Sequence, residues 1–242
     1  RGNWSCITTK DNGETWSKEE HVLDGKSPPG NGWYASFAKD PRKDHLHLLF
    51  LWHASKDNLP DSRRNLYYIQ MDHSTRQWMT IENEELTTPL SFERANKKVL
   101  IFDSKNKYSS IPQLWLTEDG RPVGLNRISD RDGVITRHLH VWTGESWRTQ
   151  KVRIDVILKP TKKEWIGFRS RDGTVQKFTS IDEGTNWKPK EIILQTGGEQ
   201  NLNALFAYAH KDAVLLITDK VDKKRIPGKQ RLWVWGESGF LN

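Results

Sequence analysis

Four apolar runs in this 242-residue chain each end on a polar or charged side chain. Leu48-Leu49-Phe50-Leu51-Trp52 stops at His53, and Val123-Gly124-Leu125-Asn126 stops at Arg127. Trp165-Ile166-Gly167-Phe168 stops at Arg169, and Val214-Leu215-Leu216-Ile217-Thr218 stops at Asp219. Strands in any protein tend to end on polar residues, so the chemical meaning lies in which residues these are. The guanidiniums of Arg127 and Arg169 stay charged and can grip a carboxylate with paired hydrogen bonds, while the imidazole of His53 moves protons near neutral pH. Segments leading into the neighbouring strands add Trp33-Tyr34, Tyr108-Ser109-Ser110 and Asn201 to Asn203. A Tyr hydroxyl near an Arg cation ionises more readily and can serve as acid or base. These residue types suit an acidic substrate handled by proton transfer.

The remaining chemistry-bearing residues say less. His45 and His47 share a strand face by alternation, as do His138 and His140, and either pair can simply pack or meet solvent. No Cys or His spacing matches a zinc site, so no cofactor is expected, although a metal ion held by side chains from separate strands stays open. The single cysteine, Cys6, rules out an internal disulfide framework. Net charge is +7, from 38 basic against 31 acidic residues, a balance that concentrates polyanions near the surface. No block of like charges and no nucleic-acid motif occurs, so an acidic sugar ranks above DNA or RNA as partner. Sugars stack on exposed indoles, but most of the twelve Trp residues are better assigned to structure. No apolar run reaches membrane-spanning length, no signal peptide is visible, and the protein is expected to be a monomer. The chain opens at Arg1 without a Met, in what reads as mid-blade sequence, which points to processing or truncation.

The elements that must position these residues are strands. Thr9-Lys10-Asp11-Asn12-Gly13-Glu14-Thr15-Trp16 recurs as Ser180-Ile181-Asp182-Glu183-Gly184-Thr185-Asn186-Trp187, with a hydroxyl residue, Asp, Gly and Trp in the same order. This is a hairpin turn closed on itself: the carboxylate accepts from turn N–H groups, Gly supplies positive φ, and Trp folds back as an apolar plug. The pattern resembles the Asp-box of sialidase-like β-propellers. Degenerate copies run from Asp72 to Trp78 and from Trp142 to Trp147, giving a period near fifty residues, as expected of blades around an axis. Short strand-like runs bounded by turns fill the rest, including Ala204–Ala209 near the end, and residues 80–98 read as an insertion. The fold expected is an all-β propeller of four-stranded antiparallel blades, one domain over residues 1–242 with its first blade incomplete. The count is about four and a half blades, either a five-bladed ring or part of a larger, seven-bladed one. In such a fold the Asp-box turns lie on one face, which makes Asp11 and Asp182 structural. The site belongs at the far ends of the second strands.

A resemblance sharpens this reading. Gly30 to Trp78, with His45-Leu46-His47-Leu48-Leu49-Phe50-Leu51-Trp52-His53 and Asn65-Leu66-Tyr67-Tyr68, is similar to the bacterial neuraminidase-repeat propellers that include the ulvan lyases. Pro112–Trp147 looks like a following blade of the same group. That resemblance implies a secreted or periplasmic polysaccharide lyase that cleaves uronate polymers by β-elimination. It implies an Arg, here Arg127 or Arg169, that neutralises the uronate carboxylate, with His and Tyr handling the protons. His47 and His53 match the histidine-rich strand. Where the lyases tend to carry a His in the glycine-led segment, this chain has Gly32-Trp33-Tyr34, leaving Tyr34 as the substitute. The expected site is therefore His53, His47, Tyr34 and Tyr108 for catalysis, with Arg127, Arg169, Trp33 and Asn201 for substrate binding. A sialidase shares the Asp-boxes and would need a Tyr–Glu nucleophile pair that is not evident, and Arg225-Ile226-Pro227 resembles its first motif at the wrong end of the chain. A non-catalytic sugar- or protein-binding propeller is the third reading, because fold alone licenses no activity.

Overall fold

The computed structural model describes residues 2–25, 31–40, 42–54, 63–105, 107–130, 132–158, 160–198, 200–204, 213–219, 231–236 and 239–241. Two compact units emerge, one of Arg1–Leu116 with Gly120–Thr149, the other of Thr117–Asp119 with Gln150–Asn242. In the first unit, β1 (Trp4–Cys6) and β2 (Glu20–Leu23) form a two-stranded pair around the first Asp-box turn. Strands β3 (Gly32–Asp40), β4 (His45–His53), β5 (Arg63–Asp72) and β6 (Trp78–Met79) follow as an antiparallel meander. Helix α1 (Phe92–Lys98) precedes β7 (Leu100–Phe102), which pairs with β5. The next sheet has β8 (Tyr108–Ser109) and β9 (Gln113–Leu116) both on β10 (Pro122–Ser129), then β11 (Ile135–Trp142) and β12 (Trp147–Val152).

The second unit holds two meanders. The first is β13 (Val156–Leu158), β14 (Trp165–Arg171), β15 (Thr174–Ser180) and β16 (Lys188–Gln195). The second is β17 (Gln200–Ala204), β18 (Ala213–Asp219), β19 (Leu232–Gly236) and β20 (Gly239–Leu241). Sheets of this kind are propeller blades, so the described residues give four blades and the two-stranded pair. Two expectations change in detail. The first strand of the last blade is Gln200–Ala204, and all but the first residue of the expected Ala204–Ala209 strand lies outside the described residues. Residues 80–98 contain a helix: Ser91 caps it by accepting from the Arg94 N–H at 3.3 Å, and Ala95 is buried beneath it. Among the described residues no helix is long and apolar enough to cross a membrane.

Strand β4 is the packing axis of the first unit. Leu48, Leu49, Phe50, Leu51 and Trp52 are all buried, so the strand is covered on both faces. One face joins Trp33, Tyr67, Ile69 and Trp78, and the other joins Leu66, Tyr68 and Leu114. Each such side chain removed from water contributes roughly 1.5–3 kcal/mol. Gly124 has no side chain because a Cβ there would lie 2.7 Å from the Leu49 side chain. The Asp119-Gly120 hairpin forms between β9 and β10 as expected, with Gly120 at φ +81° against the Asp40–Arg42 ion pair.

Both Asp-boxes close as the sequence requires. Asp11 accepts from the Thr9 hydroxyl at 2.6 Å, the Thr15 N–H at 2.9 Å and the Thr15 hydroxyl at 2.5 Å. Asp182 accepts from the Ser180 hydroxyl at 2.7 Å, the Asn186 N–H at 2.8 Å and the Asn186 amide at 2.7 Å. Gly13 and Gly184 sit at φ +98° and +77°. The plugs differ. Trp187 lies flat enough on β14 that a Cβ at Gly167 would come within 2.8 Å of its ring. Trp16 folds back onto its own turn, its N–H on the Gly13 carbonyl at 3.1 Å, and with the pair β1–β2 beside it among the described residues it stays 56% exposed.

These hydrogen bonds set a pH dependence. Thr15 above all holds Asp11 at about 2, and the Asn186 N–H with Ser180 holds Asp182 at about 2, below the ordinary 3.8. A carboxylate favoured in the fold gives its full stability above the unfolded value and loses it as pH falls through the folded one. Asp182→Ala should therefore lower the thermal midpoint at neutral pH, with the gap to wild type narrowing between about pH 4 and pH 2. Phe168→Ala removes a fully buried ring and should cost about 3–5 kcal/mol in urea titration at either pH.

Candidate active site

Antiparallel register decides which expected residues meet. In the first unit, His53 at the end of β4 stands opposite Gly32 on β3 and Arg63 on β5. At the other end of the same pair His45 stands opposite Asp72, where the Asp72–Trp78 turn begins. Eight residues of strand separate the two ends by about 26 Å. The pair β10–β11 repeats this polarity: Val123 opposite Val141 lies by the Thr143–Trp147 turn, and Ser129 opposite Ile135 lies at the far end.

A row of side chains forms at the end away from the turns. The Tyr34 ring lies 5.5 Å from the His53 ring. The Arg63 guanidinium carbon sits 5.3 Å from the centre of the Tyr34 ring and 4.8 Å from that of Tyr108. One cation thus lies against two phenols, an arrangement worth about 0.5–2 kcal/mol per contact. Tyr108 pairs with Ser129, and Arg127 is two residues along the same strand, so both share one sheet face. Diagonal neighbours of this kind are about 7–8 Å apart. Arg127 is exposed, and its backbone N–H is anchored on the Ser110 hydroxyl at 2.9 Å. Tyr34, Arg63 and Tyr108 are half-buried, and His53 is 5% exposed. The row thus gathers a buried imidazole, two half-buried phenols, a half-buried guanidinium and the exposed guanidinium of Arg127.

Two expected site residues belong elsewhere. Trp33 is 4% exposed, packs against Phe50, Trp52 and Tyr67, and donates its N–H to the Asp24 carbonyl at 3.0 Å. It is a core residue and cannot be a sugar platform, because alternation along β3 turns it inward where Tyr34 turns outward. His47 shares the face of His53 but sits six residues away, about 20 Å along the strand. It is 3% exposed and its Nδ1 bonds the Tyr68 hydroxyl, so it is corrected to a structural histidine.

Arg169 and Asn201 lie in the second unit. Arg169 is half-buried on β14 opposite Gln176, toward the strand end away from the Asp-box that follows Ser180. Asn201 is exposed on β17 opposite Thr218. Asp219 is committed to a two-point ion pair with Arg231, at 3.0 and 3.1 Å. The motif Arg225-Ile226-Pro227 lies outside the described residues. Among the described residues no group of three or more His, Cys, Asp or Glu side chains is gathered as a metal would require. Arg63 was missed by sequence reasoning. Its only signal is that it opens the strand following His53, and the register that sets the two opposite each other is not visible in one dimension.

Two of the buried histidines, His47 and His140, are held neutral. Burial lowers His47 to about 4 against the pull of Asp40, and burial with the nearby His138 lowers His140 to about 3. His140 bonds Thr149 at 2.9 Å and Asn126 at 3.0 Å.

Comparison with known proteins agrees with this architecture. Residues 1–154 match the family described as BNR repeat-containing family member. The chain is 23% identical over 268 residues to an ulvan lyase of Nonlabens ulvanivorans, covering 99% of this chain and 56% of that protein. It is 22% identical over 270 residues to an ulvan lyase of Alteromonas sp. (strain LOR), covering 99% of this chain and 54% of that one. The chain thus spans about half the length of these relatives. Among solved structures, a PL25 ulvan lyase bound to -[GlcA(1-4)Rha3S]- superposes with a TM-score of 0.82 at 18% identity, over 98% of this chain and 60% of that one. At that identity the likeness establishes the fold.

Neutral burial has a testable sign. Below about pH 6.5 the unfolded chain takes protons on His47 and His140 that the fold refuses until about 4 and 3, so stability is present above 6.5 and declines below it. Replacing His140 by Gln, which can keep the Asn126 and Thr149 partners, should flatten that decline in urea titrations between about pH 6.5 and 4.

Proposed function

This chain belongs to the BNR repeat-containing family, and on that footing we propose that it acts as a lyase on uronate-containing polysaccharide, cleaving by β-elimination. The observation that carries the proposal is the row His53, Tyr34, Arg63, Tyr108 and Arg127 at one end of the first unit's sheets. Its residue types are those β-elimination needs. The ulvan lyases matched over nearly the whole of this chain support the same chemistry and an acidic sulfated polymer as substrate.

In this reading the exposed Arg127 guanidinium takes the uronate carboxylate with two parallel hydrogen bonds. That neutralises the charge which otherwise opposes removal of the C5 proton, and it stabilises the negative charge that develops as the proton leaves. Tyr108, on the same sheet face, accepts the C5 proton as phenolate. The electron pair of the C5–H bond forms the C4–C5 double bond, the C4–O bond breaks, and the leaving oxygen takes a proton from His53, against which Tyr34 is packed. A polymer of this kind is met outside the cytoplasm, which supports a secreted or periplasmic protein.

Incubation with ulvan, other glucuronate polymers and alginate, followed by absorbance of the new C4–C5 double bond, tests the proposal. Wild type should turn over at least one of them. Tyr108→Phe and Arg127→Ala should each lose about 10²-fold or more in kcat/KM, whereas Asp182→Ala should keep turnover within about threefold. Saturable binding with no new double bond would mark a binding module, and release of sialic acid from a reporter glycoside would mark a sialidase.

A further inference from the structure

Arg63 has no part in the steps just described, yet it is the centre of the row. Its guanidinium lies against Tyr34 on one strand and Tyr108 on another, and its backbone stands opposite His53. A guanidinium is planar and has two faces, so it can stack on two rings at once, which the point charge of a lysine cannot do. The backbone around it is pinned as well. Asn65, two residues on, holds a left-handed φ of +59° and accepts the Ser104 N–H at 3.1 Å, while Ser104 Oγ accepts the Asn65 N–H at 3.2 Å. The same Asn65 amide donates to the Tyr67 hydroxyl at 3.1 Å. The start of β5 is therefore tied to the segment that leads into β8, which carries Tyr108. Arg63 and Tyr108 are held together twice, once through their side chains and once through the chain that bears them.

We propose that Arg63 is a positioning residue: held between Tyr34 and Tyr108, it fixes both rings and keeps a positive charge beside the phenol that exchanges the sugar proton. Among the described residues, the charged and titratable groups at the strand ends around Tyr108 are Arg63 and Arg64 on β5, Tyr34 on β3, His53 on β4 and Arg127 on β10, with Asp103, Lys105 and Lys107 in the segment before β8. Asp103 is engaged by Lys105 at 2.6 Å. Arg63 is the cation stacked on the ring itself, and it favours the phenolate in the absence of substrate. Its part in turnover rests on the lyase reading, but its effect on the phenol does not.

Two measurements separate the two. Tyrosinate absorbance is titrated against pH with no substrate present, and the Tyr108 component is taken as the difference between wild type and Tyr108→Phe. That component should move to higher pH by about one unit in Arg63→Met. In lyase assays Arg63→Met should lower kcat about tenfold or more with KM changed less than about threefold, and its acid limb should move to higher pH. Arg63→Lys, which keeps the charge, should restore the limb while recovering only part of kcat. A titration unchanged by Arg63→Met would overturn the inference, as would a rise in KM with kcat intact, since that pattern marks a direct substrate ligand. If the titration shifts as expected while wild type cleaves no uronate polymer, the function falls and the role of Arg63 stands.

Discussion

Everything at the candidate site depends on β4 being buried on both faces. A strand covered on one side is fixed in register because a one-residue slip would turn its apolar set outward. Here a slip would also tear Leu49 from Gly124 and Leu114 on one side and Phe50 from Trp33 and Tyr67 on the other. With β4 locked, its last residue has no freedom of placement. His53 must stand between Gly32 and Arg63, and from that follow the contact with Tyr34 and the stack of Tyr34, Arg63 and Tyr108. The charged row is thus held by an apolar constraint acting one residue away from it.

The turns at the opposite ends of the strands solve a different problem. Each Asp-box collects turn hydrogen bonds on a single carboxylate, so its loop is closed by local contacts alone. Within its sheet that keeps the turn end compact and polar. The separation is visible in the register of β4 with β5, where Asp72 and Arg63 mark opposite ends. It recurs in β14 with β15, where Ser180 pairs at one end and Arg169 lies toward the other. The degenerate turns show how little of the motif is needed. Asp72 has no hydroxyl residue two positions before it, yet it still accepts from the Ser74 and Thr75 N–H groups at 2.8 and 3.2 Å.

Histidine shows how one residue type divides by placement. His47, His53 and His140 all sit on strands and are all nearly sealed from water. His47 and His140 face packed neighbours and are kept neutral by that burial. His53 differs because its strand stops there, opposite Gly32 and Arg63. Identity and alternation are the same for His47 and His53, so no local rule separates them.

The sequence by itself determined the parts governed by local physics. The Asp-box turns could be read because hydroxyl, Asp and Gly act within eight residues. The strand runs could be read from their apolar patterning, and the propeller blades from the repetition of both. It also offered eight candidate site residues, among them His53, Tyr34, Tyr108 and Arg127, without showing which of them meet. Tertiary structure alone decided three things. It turned Trp33 into the core, since the sequence shows an indole beside a tyrosine but not which of the two faces inward. It sealed His47, because burial on the second face of β4 depends on neighbours far along the chain. It brought Arg63 to the centre of the row, because cross-strand register is fixed by long-range packing and leaves no trace in local spacing.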